Sequence, residues 1–137
     1  MTTTSPNIRR IDPLELGPPP SYTQVVEAHG NHIVFISGQA AFDAAGHLVG
    51  PGDCEAQAEQ VFLNLGHALR ASECSPANLV KLTVYLLNMD DLLKYRSARD
   101  RFFAAIAPLK PPAVTLVEVS RLYAIGALIE IDAMAVK

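Results

Sequence analysis

The chain reads as a single α+β domain, a mixed β-sheet with two helices packed on one of its faces. Alternating runs rich in Val, Ile and Leu occupy both halves of the chain, with the period of two expected of strands. Two intervening segments instead repeat their apolar residues at three- and four-residue steps, as a helix with one buried stripe requires. The resulting order is strand, strand, helix, strand, helix, strand, strand, with no internal repeat, and it places the helices on a common face. A length of 137 residues fits one domain, large enough to bury an ordinary core without disulfides or metal staples.

Residues 1–20 carry Pro6, Pro13 and Pro18-Pro19-Pro20, which favours an extended or mobile arm with a short strand around Ile8 to Ile11. The domain itself is read as 21–137. Tyr22 to Ala28 and His32 to Ser37 are two strand-like runs joined at Gly30-Asn31, and both turn residues tolerate positive φ, so a hairpin is expected. A glycine-rich loop ends at Pro51-Gly52, and Asp53 stands where an N-cap accepts from free helix amides. The first helix follows, with the stripe Cys54, Ala58, Val61, Phe62, Leu65, Ala68 and Leu69. Cys54 and Cys74 flank it at roughly 30 Å, too far for a disulfide.

Leu79 to Leu87 is too apolar for an edge and is expected in the interior of the sheet. Asn88-Met89-Asp90-Asp91 opens the second helix, with an Asp as cap and negative charge at the positive end of the dipole. Its stripe is Leu92, Tyr95, Ala98, Phe102 and Ile106, and Pro108 and Pro111-Pro112 stop it. The last two runs, Ala113 to Leu122 and Leu128 to Val136, alternate as strands, and a hairpin is their simplest join. Glu130 and Asp132 then share one face. Val114, Leu116 and Glu118 share a face of the other strand, and pairing could bring Glu118 to that acidic row.

Half of the residues are hydrophobic and the mean hydropathy is positive, an excess that favours contacts between subunits. The net charge is −3 and Lys and Arg do not cluster, which excludes the electrostatic footprint of a nucleic-acid binder. No apolar run approaches a membrane span, and the first twenty residues lack the make-up of a signal peptide. Cytoplasmic residence is the expectation. The four histidines show no metal-ligand spacing, and there is no phosphate-binding glycine loop, so neither a metal nor a cofactor is expected.

The pattern P-A-x-T-x-V-E-V-x-R-L over Pro112 to Leu122, followed by E-I-D-A-x-A-V over Glu130 to Val136, resembles the RidA/YjgF family of reactive-intermediate deaminases, also called L-PSP endoribonucleases. Ser21 to Val26 resembles its first core strand, Val34 to Gln39 the strand ending in its S-G-Q signature, and Leu79 to Tyr85 its central strand. The resemblance covers roughly residues 20 to 137. It implies a chorismate mutase-like fold, a homotrimer, and a cleft between subunits in which water attacks a small imine or enamine to release ammonia. Carried over by position, Glu130 matches the water-positioning glutamate and catalytic group. Tyr22, Ser37 and Gly38 of the S-G-Q end, and Thr115 match positions expected to line the substrate pocket.

The family's substrate-gripping arginine falls on Val114, which cannot hold a carboxylate. Losing charged hydrogen bonds of about 1.5–3 kcal/mol each removes most of the affinity for a 2-imino acid. The resemblance therefore implies a RidA-like hydrolase other than the standard 2-imino acid deaminase. Either the substrate lacks the carboxylate, or another cation holds it, or the chain is a non-catalytic metabolite-binding or chaperone-like trimer. Arg96 is the candidate for that other cation, and its plain alternative is a solvated helix residue paired with Asp100. Tyr22 and Ser37 read equally as packing and strand-end residues.

Overall fold

The computed structural model describes residues 7–19 and 21–137; residues 1–6 and Pro20 of the expected arm lie outside the described residues. The strands are β1 (Asn7–Ile11), β2 (Val25–His29), β3 (Ile33–Gln39), β4 (Leu79–Leu86), β5 (Ala113–Glu118) and β6 (Ile129–Val136), and the helices are α1 (Cys54–Ala71) and α2 (Leu92–Phe103). Strands β3-β6-β4-β5 form the main sheet, in which β4 and β5 are parallel and the other pairs antiparallel. Leu79 to Leu86 is thus an interior strand, as its composition requires. Leu82, Val84 and Leu86 of β4 and Ile129 and Ile131 of β6 are completely buried under the helices.

Asp53 caps α1, its carboxylate accepting from the Ala56 N–H at 3.1 Å. The stripe it starts buries Ala58, Val61, Phe62, Leu65 and Leu69. Phe62 stacks on Phe102 at 4.9 Å between centroids and meets Phe103 edge-on, which locks α1 to α2. Both cysteines are free and buried. Burial, helped by nearby Asp91, pushes the Cys54 thiol up to about 12, so it is an inert core group.

Three local expectations are corrected. The capping side chain before α2 is Asn88, which accepts from the Asp90 N–H at 2.9 Å and starts a short 3-10 turn, whereas Asp91 makes no cap bond and pairs with Lys94 at 3.2 Å. Tyr95 and Ala98 are buried as read, but the stripe continues through Arg99 and Phe103, leaving Phe102 and Ile106 half-buried. The segment before β2 is not strand: Thr23 gives its backbone N–H to the Pro112 carbonyl and its hydroxyl to that of Pro111.

Neither expected hairpin forms. β2 pairs antiparallel with β1 in a separate two-stranded sheet, running from Asn7↔His29 to Ile11↔Val25. β3 pairs with β6, and two features pull the connection that way. His32 and Lys137 exchange backbone bonds of 2.8 and 3.0 Å. Gly30 lies so close to Val136 that a Cβ there would stand 2.6 Å from its Cγ1. β6 in turn leaves β5 and inserts between β3 and β4, the position where its buried Ile129, Ile131, Ala133 and Ala135 meet the helix layer.

Candidate functional site

Pairing fixes which side chains share a face. Tyr85 opposes Glu130 and Thr83 opposes Asp132, so both carboxylates stand on the side away from the helices. Val114, Leu116 and Glu118 oppose Leu82, Val84 and Leu86, whose side chains point under the helices. Glu118 therefore does not join the acidic row; it accepts from the Met89 N–H at 2.8 Å on the opposite face. The Tyr85 hydroxyl donates to Asp132 at 3.4 Å. The charge of Asp132, then partial desolvation, and more weakly Glu130, raise the phenol of Tyr85 above its ordinary value.

Glu130 lines an open hollow of about 980 Å³ beyond the end of β3, together with Gly38, Gln39, Leu63, Asn64 and Tyr123. A backbone irregularity between Ile36 and Gln39 turns the S-G-Q end so that Gly38 meets this carboxylate. A Cβ on Gly38 would lie 2.8 Å from the Glu130 Cδ, so the absence of a side chain at 38 is what lets the half-buried glutamate rest there. Asn64 braces the far wall by donating to the carbonyls of Ala40 and Phe42 at 3.1 and 2.9 Å. Gln57, fully buried, donates to the carbonyls of Gly50 and Gly126 and accepts from the Leu128 N–H. These bonds hold the chain just before Glu130.

A second hollow, of about 350 Å³, opens between α2 and β5. Tyr22, Arg96 and Val114 all line it, beside Tyr95, Arg99 and Leu116. Thr23 positions Tyr22 there through its bonds to the start of β5. Asp100, expected opposite Arg96, instead pairs with Arg99, accepting from its Nε and Nη2 at 3.0 and 2.8 Å. Arg96 makes no ion pair with a described residue.

The sequence-derived residues thus fall into two groups. Gly38 and Glu130 meet in the first hollow, and Tyr22, Arg96 and Val114 in the second. Ser37 is exposed on β3 and Thr115 accepts from the Lys81 ammonium at 2.8 Å on the outer face; neither lines a hollow with the others. β6 and β5 are two strand spacings apart and Val114 is three residues from the level of Glu130, so their backbones are separated by roughly 14 Å, with the side chains on opposite faces. One small ligand cannot touch both within a protomer. Sequence reading missed Arg99, Gln57, Asn64 and Tyr123. Arg99 carried a signal, since it lies four residues after Tyr95 on the buried side of α2.

The fold defines a small α+β domain with a mixed four-stranded sheet, two helices on one face and a glutamate seated on an S-G-Q strand end. The family described as Endoribonuclease L-PSP matches residues 14–137, and the chain belongs to this family, that of the RidA/YjgF proteins. Protein DfrA of Myxococcus xanthus is 36% identical over 124 residues, which cover 90% of this chain and 88% of that protein. The 2-iminobutanoate/2-iminopropanoate deaminase of Mus musculus is 31% identical over 125 residues, 91% of this chain and 85% of that enzyme. The crystal structure of YyfB from Yersinia pestis, a conserved Rid family protein of unknown function, matches with a TM-score of 0.87 at 32% identity, covering 96% of this chain and 99% of that one. No helix among the described residues is long and apolar enough to cross a membrane.

Proposed function

We propose that the protein is a homotrimeric RidA-like hydrolase that deaminates a small imine or enamine in a cleft between subunits, with Glu130 as the water-activating base. The observation that carries this reading is the Glu130 carboxylate, half-buried in a hollow and seated directly on Gly38. A carboxylate so placed takes a proton from water as its oxygen adds to the C=N carbon. Glu130 returns that proton to the nitrogen to give the carbinolamine, a further proton from water makes the amine a leaving group, and the hydroxyl loses its proton back to water as the C–N bond breaks, so that a carbonyl compound and ammonia leave. The deaminase relative in mouse supports this reaction class. Val114 sets the chain apart from a standard 2-imino acid deaminase, because β5 offers no guanidinium to the substrate.

Assembly from several subunits is favoured by the separation of the two hollows and by apolar residues on the outer face of the sheet. Ile33 is 60% exposed and Phe35 73%, with Val117 and Met134 on the same side, a patch that a monomer would leave in water. Ammonia release from enzymatically generated imines of neutral and acidic amino acids, including 2-aminoacrylate, tests the proposal. Acceleration that disappears in Glu130→Gln supports it. No acceleration with any substrate, alongside ligand binding seen as a thermal shift, would instead favour a non-catalytic metabolite-binding module.

A further inference from the structure

We infer that Tyr123 is a specificity-determining residue of the Glu130 hollow, an aromatic wall that selects an uncharged imine carrying an aromatic side chain. The inference deepens the proposed function by naming a substrate class, and rests on that reading only in calling the ligand a substrate.

Position, anchoring and charge combine. Tyr123 lines the hollow that holds Glu130, yet it is 100% exposed, so its ring stands free at the mouth. The segment that carries it is not a loose tip. The Val119 N–H donates to the Leu86 carbonyl at 2.8 Å at one end, and the Leu87 N–H to the Leu128 carbonyl at 3.1 Å at the other, beside the bonds of Gln57 to Gly126 and Leu128. An apolar ring held in water on a fastened segment marks a contact surface. Leu63 of α1, also exposed, lines the same hollow. Its charges are of one sign: Glu130 and Asp43 line it, and no lysine or arginine does among the described residues. Asp43 accepts from the Ala45 and His47 N–H groups at 3.0 and 2.9 Å, and the bond from His47 holds its carboxyl below the ordinary value. His67 on the α1 wall accepts at Nδ1 from the Arg70 guanidinium at 2.6 Å, a bond that requires this nitrogen to be unprotonated.

These features select among substrates. An anion would enter against two like charges, with no cation on the wall to offset its lost hydration. An uncharged imine meets no such cost, and its apolar part gains by covering Tyr123 and Leu63. Between aliphatic and aromatic side chains the ring decides. A second ring packs offset or edge-on against Tyr123 and gains roughly two- to tenfold in affinity beyond the area it buries. A hollow of about 980 Å³ lies at the upper end for small-molecule sites and has room for such a ring. Tyr123 precedes Glu130 on one continuous segment, so the stretch of chain that delivers the base also reads the substrate's side chain.

Calorimetric titration of the intact oligomer with phenylacetamide, butanamide and phenylacetate tests the assignment without reference to turnover. Phenylacetamide, uncharged and aromatic, is expected to bind roughly tenfold more tightly than butanamide. Tyr123→Ala should abolish that preference, and Tyr123→Phe should retain it. Phenylacetate affinity should be the same in the wild type and in Tyr123→Ala. Ile125→Ala removes another exposed side chain of the same segment, one that does not line this hollow, and should change none of the three affinities. Equal binding of the two amides, a preference retained in folded Tyr123→Ala, or a loss of phenylacetate binding in Tyr123→Ala as large as that of the amide would overturn the inference. So would an equal loss in Ile125→Ala, which would show that the segment acts by docking on protein. Ammonia release from the imines of phenylethanal and butanal, generated from their amines by an amine oxidase, separates this inference from the reading it rests on. Preference for the aromatic amide without hydrolysis of either imine supports it and sinks the hydrolase; hydrolysis of both imines at one rate, with equal binding of the amides, does the reverse.

Discussion

The two hollows of this molecule are built from opposite resources. The one beyond β3 has two carboxylates, Glu130 and Asp43, and no arginine, is wide, and owes its form to a missing Cβ at Gly38 and to amide side chains that tie loops to α1. The one between α2 and β5 has two arginines and no carboxylate, is about a third of the volume, and owes its form to side chains packed around a buried cation. The difference separates chemistry from grip. A group that takes a proton from water needs water beside it, whereas a group that holds an anion gains from desolvation and rigidity. The two lie at the opposite edges of the sheet, β3 and β5, and its side-chain period of two points Glu130 and Val114 to opposite faces, which a slip of one residue in register would exchange.

The sharpest way to break the first hollow is Gly38→Ala. The added methyl would meet the Glu130 carboxylate at 2.8 Å and force it aside, and a displacement near 1 Å costs about a hundredfold in rate. Imine hydrolysis should fall by that factor. An unchanged rate in a folded variant would mean that the carboxylate does not act from its seat on Gly38.

Next in size is Gln57→Leu, which keeps the volume and deletes the polar atoms. The carbonyls of Gly50 and Gly126 and the N–H of Leu128 lose their partner together. Unfolding free energy from urea titration should drop by about 3 kcal/mol, and the loss should be the same in an Arg96→Gln background, since the second hollow shares none of these bonds. Non-additivity above about 0.5 kcal/mol would mean that the regions are coupled through the sheet.

A smaller effect is expected from moving the charge. In Arg96→Gln, adding Val114→Arg returns one guanidinium to the hollow from the strand side. Val114→Arg should destabilise the otherwise wild-type protein, because a third cation joins two in a partly buried space, and should cost less in Arg96→Gln. An equal penalty in both backgrounds would argue that Arg96 does not face this hollow in solution.

How much of this was legible beforehand follows the range of the interactions. Asp53 as cap, the α1 stripe and the interior place of β4 are decided within a few residues or by composition, and all three stand. The hairpin expected at Gly30-Asn31 does not form because its local turn signal loses to contacts with Val136 and Lys137, more than a hundred residues away. Likewise, β6 was adjacent to β5 in sequence but buries its apolar face only between β3 and β4. At the candidate site, the family resemblance pointed to Glu130, Gly38, Tyr22 and Val114, with Arg96 as the candidate cation, but it could not show that they fall in two hollows. Arg99 and Gln57 escaped because a buried polar residue is readable only when its partners are: a neighbouring Asp100 in one case, carbonyls up to 69 residues distant in the other.

The least effect, and the one most specific to the second hollow, concerns acid. Asp12 accepts from the Gln24 N–H at 2.8 Å and pairs with Lys110, fastening the segment that carries Tyr22 to the chain entering β5. The backbone bond from Gln24, then the Lys110 ammonium, holds its carboxyl below the usual range. A depressed carboxyl binds fewer protons folded than unfolded, so its stabilisation is fully present above the ordinary value of 3.8 and disappears as pH falls through the lowered one. Asp12→Asn keeps an oxygen for Gln24 but loses the charge. Its melting temperature should lie slightly below wild type at neutral pH, and the gap should close as the pH falls through the lowered value. Imine hydrolysis from the Glu130 hollow, at the opposite edge of the sheet, should keep its rate relative to wild type. A gap that persists at low pH would mean that the side chain acts by packing rather than by charge.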